Sequence, residues 1–179
     1  EAAREAVRLA RRLALPLEGY TADGGFFVEG DSPLLEAHQR LLGVEAEGAD
    51  LLRLSSPLVR LQVLAEGEAP VERLLEAPPR GLQAHVAESP KMPGVRFVSL
   101  TKEGVSKLSA ARLVAEAYGL PLSECAMVGD GENDLELLRA VGVGIAMGNA
   151  PPSVKRAAQR VVAPVEACGL AEALRLLRG

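Results

Sequence analysis

The stretch that most constrains the fold of this chain is residues 125–149, CAMVGDGENDLELLRAVGVGIAMGN. A short apolar run leads into a loop that carries the carboxylates of Asp130 and Asp134. Leucines at helical spacing and a second apolar run follow, and the stretch ends with Asn149. This order predicts a strand, an acidic loop, a helix and another strand. Because ligands of an open parallel sheet bind outside the carboxyl ends of its strands, we expect these polar side chains to share one binding edge.

The acidic loop has the composition of a site for a hard cation. Magnesium takes one or two protein carboxylates and fills its remaining positions with water and substrate phosphate oxygens. Gly129 and Gly131 flank Asp130, and we expect them to allow a tight turn with positive φ. Asp130 directly follows an apolar strand, where an unpaired carboxylate is costly to desolvate, so we predict that it binds the metal. For Asp134, the alternative is that it caps the helix beginning near Leu135.

The same stretch resembles a known family. GDGEND at 129–134, followed by GVGIAMGNAPPSVKRAA, resembles the fourth signature of the haloacid dehalogenase-like (HAD) phosphohydrolases, in their Cof-type branch. GVSK at 104–107 resembles the third signature. Members of this branch act on sugar phosphates and similar small phosphate esters. The resemblance implies an α/β fold: part of a HAD-like, doubly wound, Rossmann-like parallel-sheet core, together with a mixed α/β cap domain.

The resemblance also implies roles for individual residues. Asp130 would be a magnesium ligand, and Lys107 and Asp134 would be catalytic. Lys107 would steady the nucleophile and the phosphate, while Asp134 would position either a metal-bound water or Lys107 itself. Lys107, Asn133 and Asn149 would contact the substrate. The residues alone leave open a surface position for Lys107 and turn-forming roles for the two asparagines.

The predicted order of strands and helices changes near residue 100. Strands with helices among them precede it, whereas strands and helices alternate after it, as in a parallel sheet. We therefore predict a substrate-specificity cap over residues 1–100 and the C-terminal half of the core over residues 101–179. The first helix of the second part is predicted over 106–118, and the apolar residues that we expect it to bury are Leu108, Ala111, Leu113, Val114 and Ala117.

The predicted cap contains a β-hairpin over residues 19–29 and a turn over 89–94 between two strands. Residues that select the substrate are expected on the hairpin, at 20–27, or near 88–92. His38 has no evident partner in the sequence, so we expect an ordinary surface or core position for it.

Length, charge and cysteine content narrow the class of protein. The net charge of the 179 residues is −4, without a long run of one sign, so we expect neither nucleic acid nor a membrane as a partner. No apolar run approaches the ~20 residues that cross a bilayer. Cys125 and Cys168 do not make a disulfide framework, which favours a reducing cytoplasm. The expected partner is a small-molecule phosphate ester, and the expected state is a monomer or a homodimer.

One family feature is absent from this sequence. The first signature, DxDGT, supplies the nucleophilic aspartate, and TADGG at 21–25 lacks its leading aspartate. We therefore expect the intact protein to hydrolyse small phosphate monoesters through an aspartyl-phosphate, and the 179-residue chain alone to be inactive, with no nucleophile of its own. The alternatives are a non-catalytic binding or regulatory module that keeps the metal loop, and a phosphorylation-domain fragment of a P-type ATPase, whose loop is similar.

Overall fold

The computed structural model describes residues 1–67, 69–76 and 78–178. The chain divides into two compact units, Glu1–Glu103 and Gly104–Gly179, close to the predicted change in the order of strands and helices. The described residues form an α/β structure with two separate sheets. No helix within those ranges is both long and apolar enough to cross a membrane.

The first unit is built on a mostly antiparallel sheet. In chain order, its elements are α1 (Ala2–Arg12), β1 (Leu17–Thr21), β2 (Phe26–Glu29), α2 (Pro33–Leu42), β3 (Glu47–Gly48), β4 (Leu58–Glu66), α3 (Ala69–Glu76), β5 (Leu82–Ser89) and β6 (Met92–Lys102). The strand order is β3-β2-β1-β4-β6-β5, with β2 and β3 parallel. The predicted hairpin is the β1–β2 pair. The turn predicted over 89–94 is shorter than expected, because Ser89 already pairs with Met92 and only residues 90–91 connect the two strands.

One face of this sheet carries the main core of the first unit. Helices α1 and α3 pack here, because their apolar residues recur at helical spacing and meet alternate residues of the strands. The buried members include Ala6, Val7, Ala10, Leu17, Leu61, Val63, Val71, Leu74, Val98 and Leu100. Each fully buried Val or Leu side chain contributes about 1.5–3 kcal/mol relative to exposure.

The opposite face of the sheet is only partly covered. Helix α2 starts at the N-cap Ser32, whose side chain accepts the backbone N–H of Leu34, and it lays Leu35 against Leu64 and Phe97. Beyond α2, this face carries polar and aromatic side chains, because the strand residues that alternate with the main core point the other way.

The second unit has the alternating pattern expected of a parallel sheet. Its elements are α4 (Lys107–Ala117), β7 (Ala126–Gly129), α5 (Leu135–Ala140), β8 (Val143–Ala146), α6 (Pro152–Ala157), β9 (Arg160–Val161) and α7 (Gly169–Arg178), with short 3-10 turns at Leu122–Glu124, Glu132–Asp134 and Val165–Ala167. The strands lie in the order β7-β8-β9, and both pairs are parallel. The predicted α/β class and parallel core sheet are therefore confirmed.

The core of the second unit lies around β8. Ile145 and Leu138 are fully buried, and Val154 of α6 packs beside Leu138. The predicted buried face of α4 is wrong at three positions: Leu113, Val114 and Ala117 are exposed, whereas Ala115 is the buried residue of this helix. Apolar spacing identifies a face that is able to be buried, but burial also needs a surface packed against it.

Candidate metal and phosphate site

The site lies where β7 and β8 end. The two strands run parallel with Gly129 opposite Ala146, so the residues that follow them meet at one edge of the sheet. Asp130 follows β7, and Asn149 follows β8 after a two-residue step. The Asn149 Nδ2 group donates a hydrogen bond to Asp130 Oδ2 at 3.1 Å. The structure thus brings together the two polar positions that the sequence placed at this edge.

Asp134 is the buried centre of the loop. Its residue exposure is 2%, and its Oδ2 atom accepts the backbone N–H groups of Asp130 at 3.1 Å and Gly131 at 3.0 Å. Its Oδ1 atom accepts from Lys107 Nζ in a short ion pair. The carboxylate does not cap α5, which was the alternative for this residue. Instead it closes the loop and holds a lysine from another helix.

Lys107 comes to the loop from the first turn of α4. Ser106 and Ser109 form a reciprocal capping box that starts this helix and fixes where Lys107 emerges. The Lys107 Nζ group lies 3.4 Å from Asn133 Oδ1 in addition to its ion pair with Asp134. Its side chain is 48% exposed, so the ammonium is held on one side and open to solvent on the other. A plain surface lysine would lack these two partners.

Asn149 and the loop residue Glu132 make contacts that position the site. Asn149 Oδ1 accepts the backbone N–H of Val165 at 3.2 Å, so its amide stabilises a neighbouring turn as well as contacting Asp130. Ser153 Oγ donates to Glu132 Oε1 at 3.0 Å and links the loop to α6. The sequence analysis missed the Ser153 contact, because nothing in the spacing of the two residues indicates it.

The glycines of the loop are needed for a different reason from the one predicted. Neither Gly129 nor Gly131 has a positive φ, so the expectation of a left-handed turn is wrong. A Cβ atom on Gly129 would lie 2.6 Å from Asp134 Oδ2, and one on Gly131 would lie 2.6 Å from Asn133 Oδ1. Gly129 must be small because the buried Asp134 side chain folds back over it, whereas at Gly131 the exposed end of the Asn133 side chain is able to move aside.

The donor set of the site suits a magnesium ion better than a zinc ion. Asp130 is exposed at the strand end, and its Oδ1 atom accepts no hydrogen bond from any of the described residues. Within the same ranges, no group of three His, Cys, Asp or Glu side chains is gathered to hold a metal. Zinc sites usually need three or four such ligands, whereas magnesium accepts one or two carboxylates and completes its shell with water and phosphate oxygens.

In the first unit, Asp23 and His38 both have hydrogen-bonding partners. Asp23, in the turn of the hairpin, accepts hydrogen bonds from Ser56 Oγ at 2.6 Å and Thr21 Oγ1 at 2.5 Å. These hydroxyls, that of Ser56 first, lower the pKa of the Asp23 carboxyl. His38 is buried and its Nδ1 atom lies 2.6 Å from Glu18 Oε1, so the expectation that it lacks a partner is wrong. The reason is that Glu18 and His38 are brought together by packing, not by spacing in the sequence.

Comparison with known proteins agrees with this geometry. The profile of a family described as haloacid dehalogenase-like hydrolase matches residues 85–174. An HMP-PP phosphatase from Cronobacter sakazakii is 30% identical over 135 residues, which cover 74% of this chain and 48% of that protein. A phosphoglycolate phosphatase from Methanothermobacter thermautotrophicus is 34% identical over 82 residues, covering 46% of this chain and 37% of the relative.

The fold has a similar counterpart among solved structures. A sugar phosphatase of HAD subclass IIB superposes with a TM-score of 0.80 at 20% identity, covering 99% of this chain and 66% of that one. At this identity, the likeness concerns the fold alone. The chain spans less than half the length of the two relatives above. Both relatives are phosphatases by name, which disfavours the P-type ATPase alternative.

Proposed function

Because the chain belongs to the haloacid dehalogenase-like hydrolase family, we propose that it forms part of a magnesium-dependent phosphatase acting on small phosphate monoesters such as sugar phosphates. The observation that supports this proposal most directly is the ion pair between Lys107 and the buried Asp134, beside the exposed carboxylate of Asp130. A positive side chain and a metal-binding carboxylate at one strand edge suit a phosphate group. In this proposal, the first unit is the cap and the second is part of the core.

Lys107 is proposed to bind a phosphate oxygen on its open side. Asp134 and Asn133 contact the ammonium group on one side, which limits its motion and leaves its other side exposed to solvent. A cation positioned before the reaction stabilises the charge that develops on a transferring phosphoryl group. Asp134 is therefore proposed to be catalytic through the position it gives Lys107, and Asn133 to assist it.

Asp130 is proposed to be the protein ligand of magnesium. Asn149 holds one of its oxygens through a hydrogen bond, which orients the other oxygen for the ion. Bound magnesium would supply positive charge next to the phosphate. Asn149 lies close enough to Asp130 that its amide is proposed to contact the substrate phosphate as well.

The proposed reaction proceeds through an aspartyl-phosphate, in which a carboxylate attacks phosphorus, the ester oxygen leaves, and water then hydrolyses the intermediate. Asp130 and Asp134 are committed to the metal and to Lys107, so neither is assigned as the nucleophile. The roles of this site are to hold the phosphate, neutralise its charge and keep Lys107 in place. The proposed location is the cytoplasm, which is compatible with the two free cysteines.

Metal binding by the 179-residue chain gives a direct test. Substoichiometric Mn²⁺, added to ¹⁵N-labelled protein, should broaden the amide signals of Gly131 and Asn149, and excess Mg²⁺ should restore them. Asp130→Asn should raise the Mn²⁺ concentration needed by at least about tenfold. Glu136→Gln removes an exposed carboxylate from the first turn of α5 and should leave the response unchanged.

Equal broadening in the Asp130→Asn variant and the unaltered chain would show that Asp130 is not the ligand. In the intact protein, the same variant should lose phosphate-ester hydrolysis at low magnesium concentration. Undiminished activity under those conditions would contradict the proposed role of Asp130.

A further inference from the structure

The partly covered face of the first unit's sheet carries two rows of side chains that cross neighbouring strands. The strand register aligns the first row, here called the Arg60 row, which consists of Phe26, Tyr20, Arg60, Thr101 and Gln83. The second row lies two residues along each strand and consists of Val28, Glu18, Gln62, Ser99 and His85. Apart from the buried Glu18, both rows are free of acidic side chains and rich in hydrogen-bond donors.

The buried carboxylate of Glu18 already has its own partners. Its Oε2 atom accepts from Tyr20 Oη at 2.9 Å and from Gln62 Nε2 at 2.7 Å, and its Oε1 atom lies 2.6 Å from His38 Nδ1. Arg60 makes none of these contacts. Among the described residues, the Arg60 guanidinium is linked to Glu18 through the side chain of Gln62 and not by a direct contact.

Arg60 is nevertheless held in one orientation. Its Nε atom donates to Ser99 Oγ at 3.2 Å, and its Nη2 atom donates to Gln62 Oε1. The guanidinium carbon lies 5.0 Å from the centre of the Tyr20 ring, and that ring stacks on Phe26 with 4.9 Å between centroids. Two side-chain hydrogen bonds and a cation–π contact thus fix a half-buried guanidinium group.

Despite this fixed position, Arg60 forms no ion pair with any residue that the structure describes. A guanidinium has five N–H donors, so Nη1 and part of Nη2 still have donors to offer. Thr101, its neighbour in the row, adds a hydroxyl whose oxygen accepts from Gln83 Nε2 at 3.3 Å and whose hydrogen is available for donation. The arrangement has the features of an anion site: an oriented cation, nearby donors and no competing carboxylate.

We propose that the Arg60 row binds an oxyanion, a carboxylate or phosphate group, carried by a small-molecule ligand. The inference concerns the first unit alone and does not depend on the proposed function. A planar guanidinium binds two oxygens of such a group at once, which a lysine cannot reproduce. The stacked rings of Tyr20 and Phe26 supply an apolar surface beside the anion for the carbon skeleton of the ligand.

The test is an NMR titration of the ¹⁵N-labelled 179-residue chain with inorganic phosphate and, separately, with acetate, each against sodium chloride of equal ionic strength. The Arg60 Nε–H signal and the amide signals of Tyr20 and Thr101 should shift in a saturable manner with at least one of the two anions. A larger response to phosphate would indicate that the ligand of this row carries a phosphate group, and a larger response to acetate would indicate a carboxylate.

Three variants give the controls. Arg60→Gln should weaken the response of the Tyr20 and Thr101 amides by about tenfold or more, since hydrogen bonds to charged groups contribute that much. Arg60→Lys keeps the positive charge but loses the planar guanidinium group, and it should bind the anion more tightly than Arg60→Gln does. Arg12→Gln makes the same change in net charge at an exposed position at the end of α1 and should behave like the unaltered chain.

A wild-type Arg60 Nε–H signal that does not saturate with either anion would overturn the inference, even if the variants fail to fold. Equal weakening by Arg12→Gln would also overturn it, because the effect would then come from net charge. Saturation at Arg60 without phosphate-induced shifts at Gly131 and Asn149 would contradict the proposed phosphate site and support this one. Shifts confined to those loop residues would support the proposed function and refute this inference.

Discussion

The ion pair between Lys107 and Asp134 makes a quantitative prediction about the second unit. The two partners differ in burial: the Asp134 side chain is 3% exposed and the Lys107 side chain is 48% exposed. Asp134 also accepts two backbone N–H groups of the loop, whereas Lys107 has Asn133 as its one other hydrogen-bond partner among the described residues. Removing the carboxylate should therefore cost more stability than removing the ammonium.

We expect Asp134→Asn to lower the free energy of unfolding by about 3 kcal/mol, because its amide N–H₂ would face groups that are themselves donors. Lys107→Met should cost about 1 kcal/mol, since half of that side chain is solvated and Asp134 keeps its backbone partners. In the double variant, the loss of Lys107 should cost almost nothing further. The coupling free energy between the two residues should thus be about 1 kcal/mol.

Amide hydrogen exchange of Ile145 and Ala146 in β8 is the appropriate assay. These protons belong to the buried strand of the second unit, so their exchange reports the opening of that unit separately from the first. Glu116→Gln, on the exposed surface of α4, changes a carboxylate to an amide and should cost less than about 0.5 kcal/mol. A cost for Lys107→Met equal to or above that of Asp134→Asn, or a coupling near zero, would refute the described hydrogen-bond arrangement.

Three further predictions follow from other contacts. Gly129→Ala should displace the Asp134 carboxylate and destabilise the second unit by more than about 2 kcal/mol in the same exchange assay. Gly48→Ala lies in the first unit, where a Cβ atom would meet nothing within 4 Å, and it should leave the amide exchange of Val63 in the buried strand β4 unchanged. The Asp23 carboxyl, followed by ¹³C NMR, should titrate below the ordinary value of about 3.9. Because the folded-state pKa of Asp23 is lowered, the stability that its carboxylate contributes is present above the ordinary pKa and is lost as the pH falls through the lowered pKa. Ser56→Ala should raise the titration midpoint of Asp23, and an unchanged midpoint would contradict Ser56 as the cause. The 179-residue chain alone should not hydrolyse a panel of sugar phosphates with magnesium, and turnover on the order of 1 per second would show that the nucleophile has been misplaced, with Asp23 the first residue to test.

The sequence was informative wherever the controlling interactions are local. The order of strand, acidic loop, helix and strand in residues 125–149 follows from apolar runs and helical spacing, and the structure has these elements at the expected places. The same holds for the hairpin of β1 and β2. Parallel strands also have a predictable consequence, since their carboxyl ends share one edge, and Asp130 and Asn149 were expected together for that reason.

Only the tertiary structure decided which side chains meet and which faces are covered. Glu18 reaches Gln62 across 44 positions of the chain, a separation over which local patterns carry no information. Lys107 reaches Asp134 across 27, and the sequence offered that contact only as one of two roles that the family resemblance implies for Asp134. The reason that Gly129 must be small is likewise a side chain folded over it, not its own backbone angle. Leu113 has the spacing of a buried residue and is exposed. The residue type limits which contacts a position is able to make, and tertiary packing decides which neighbour it contacts.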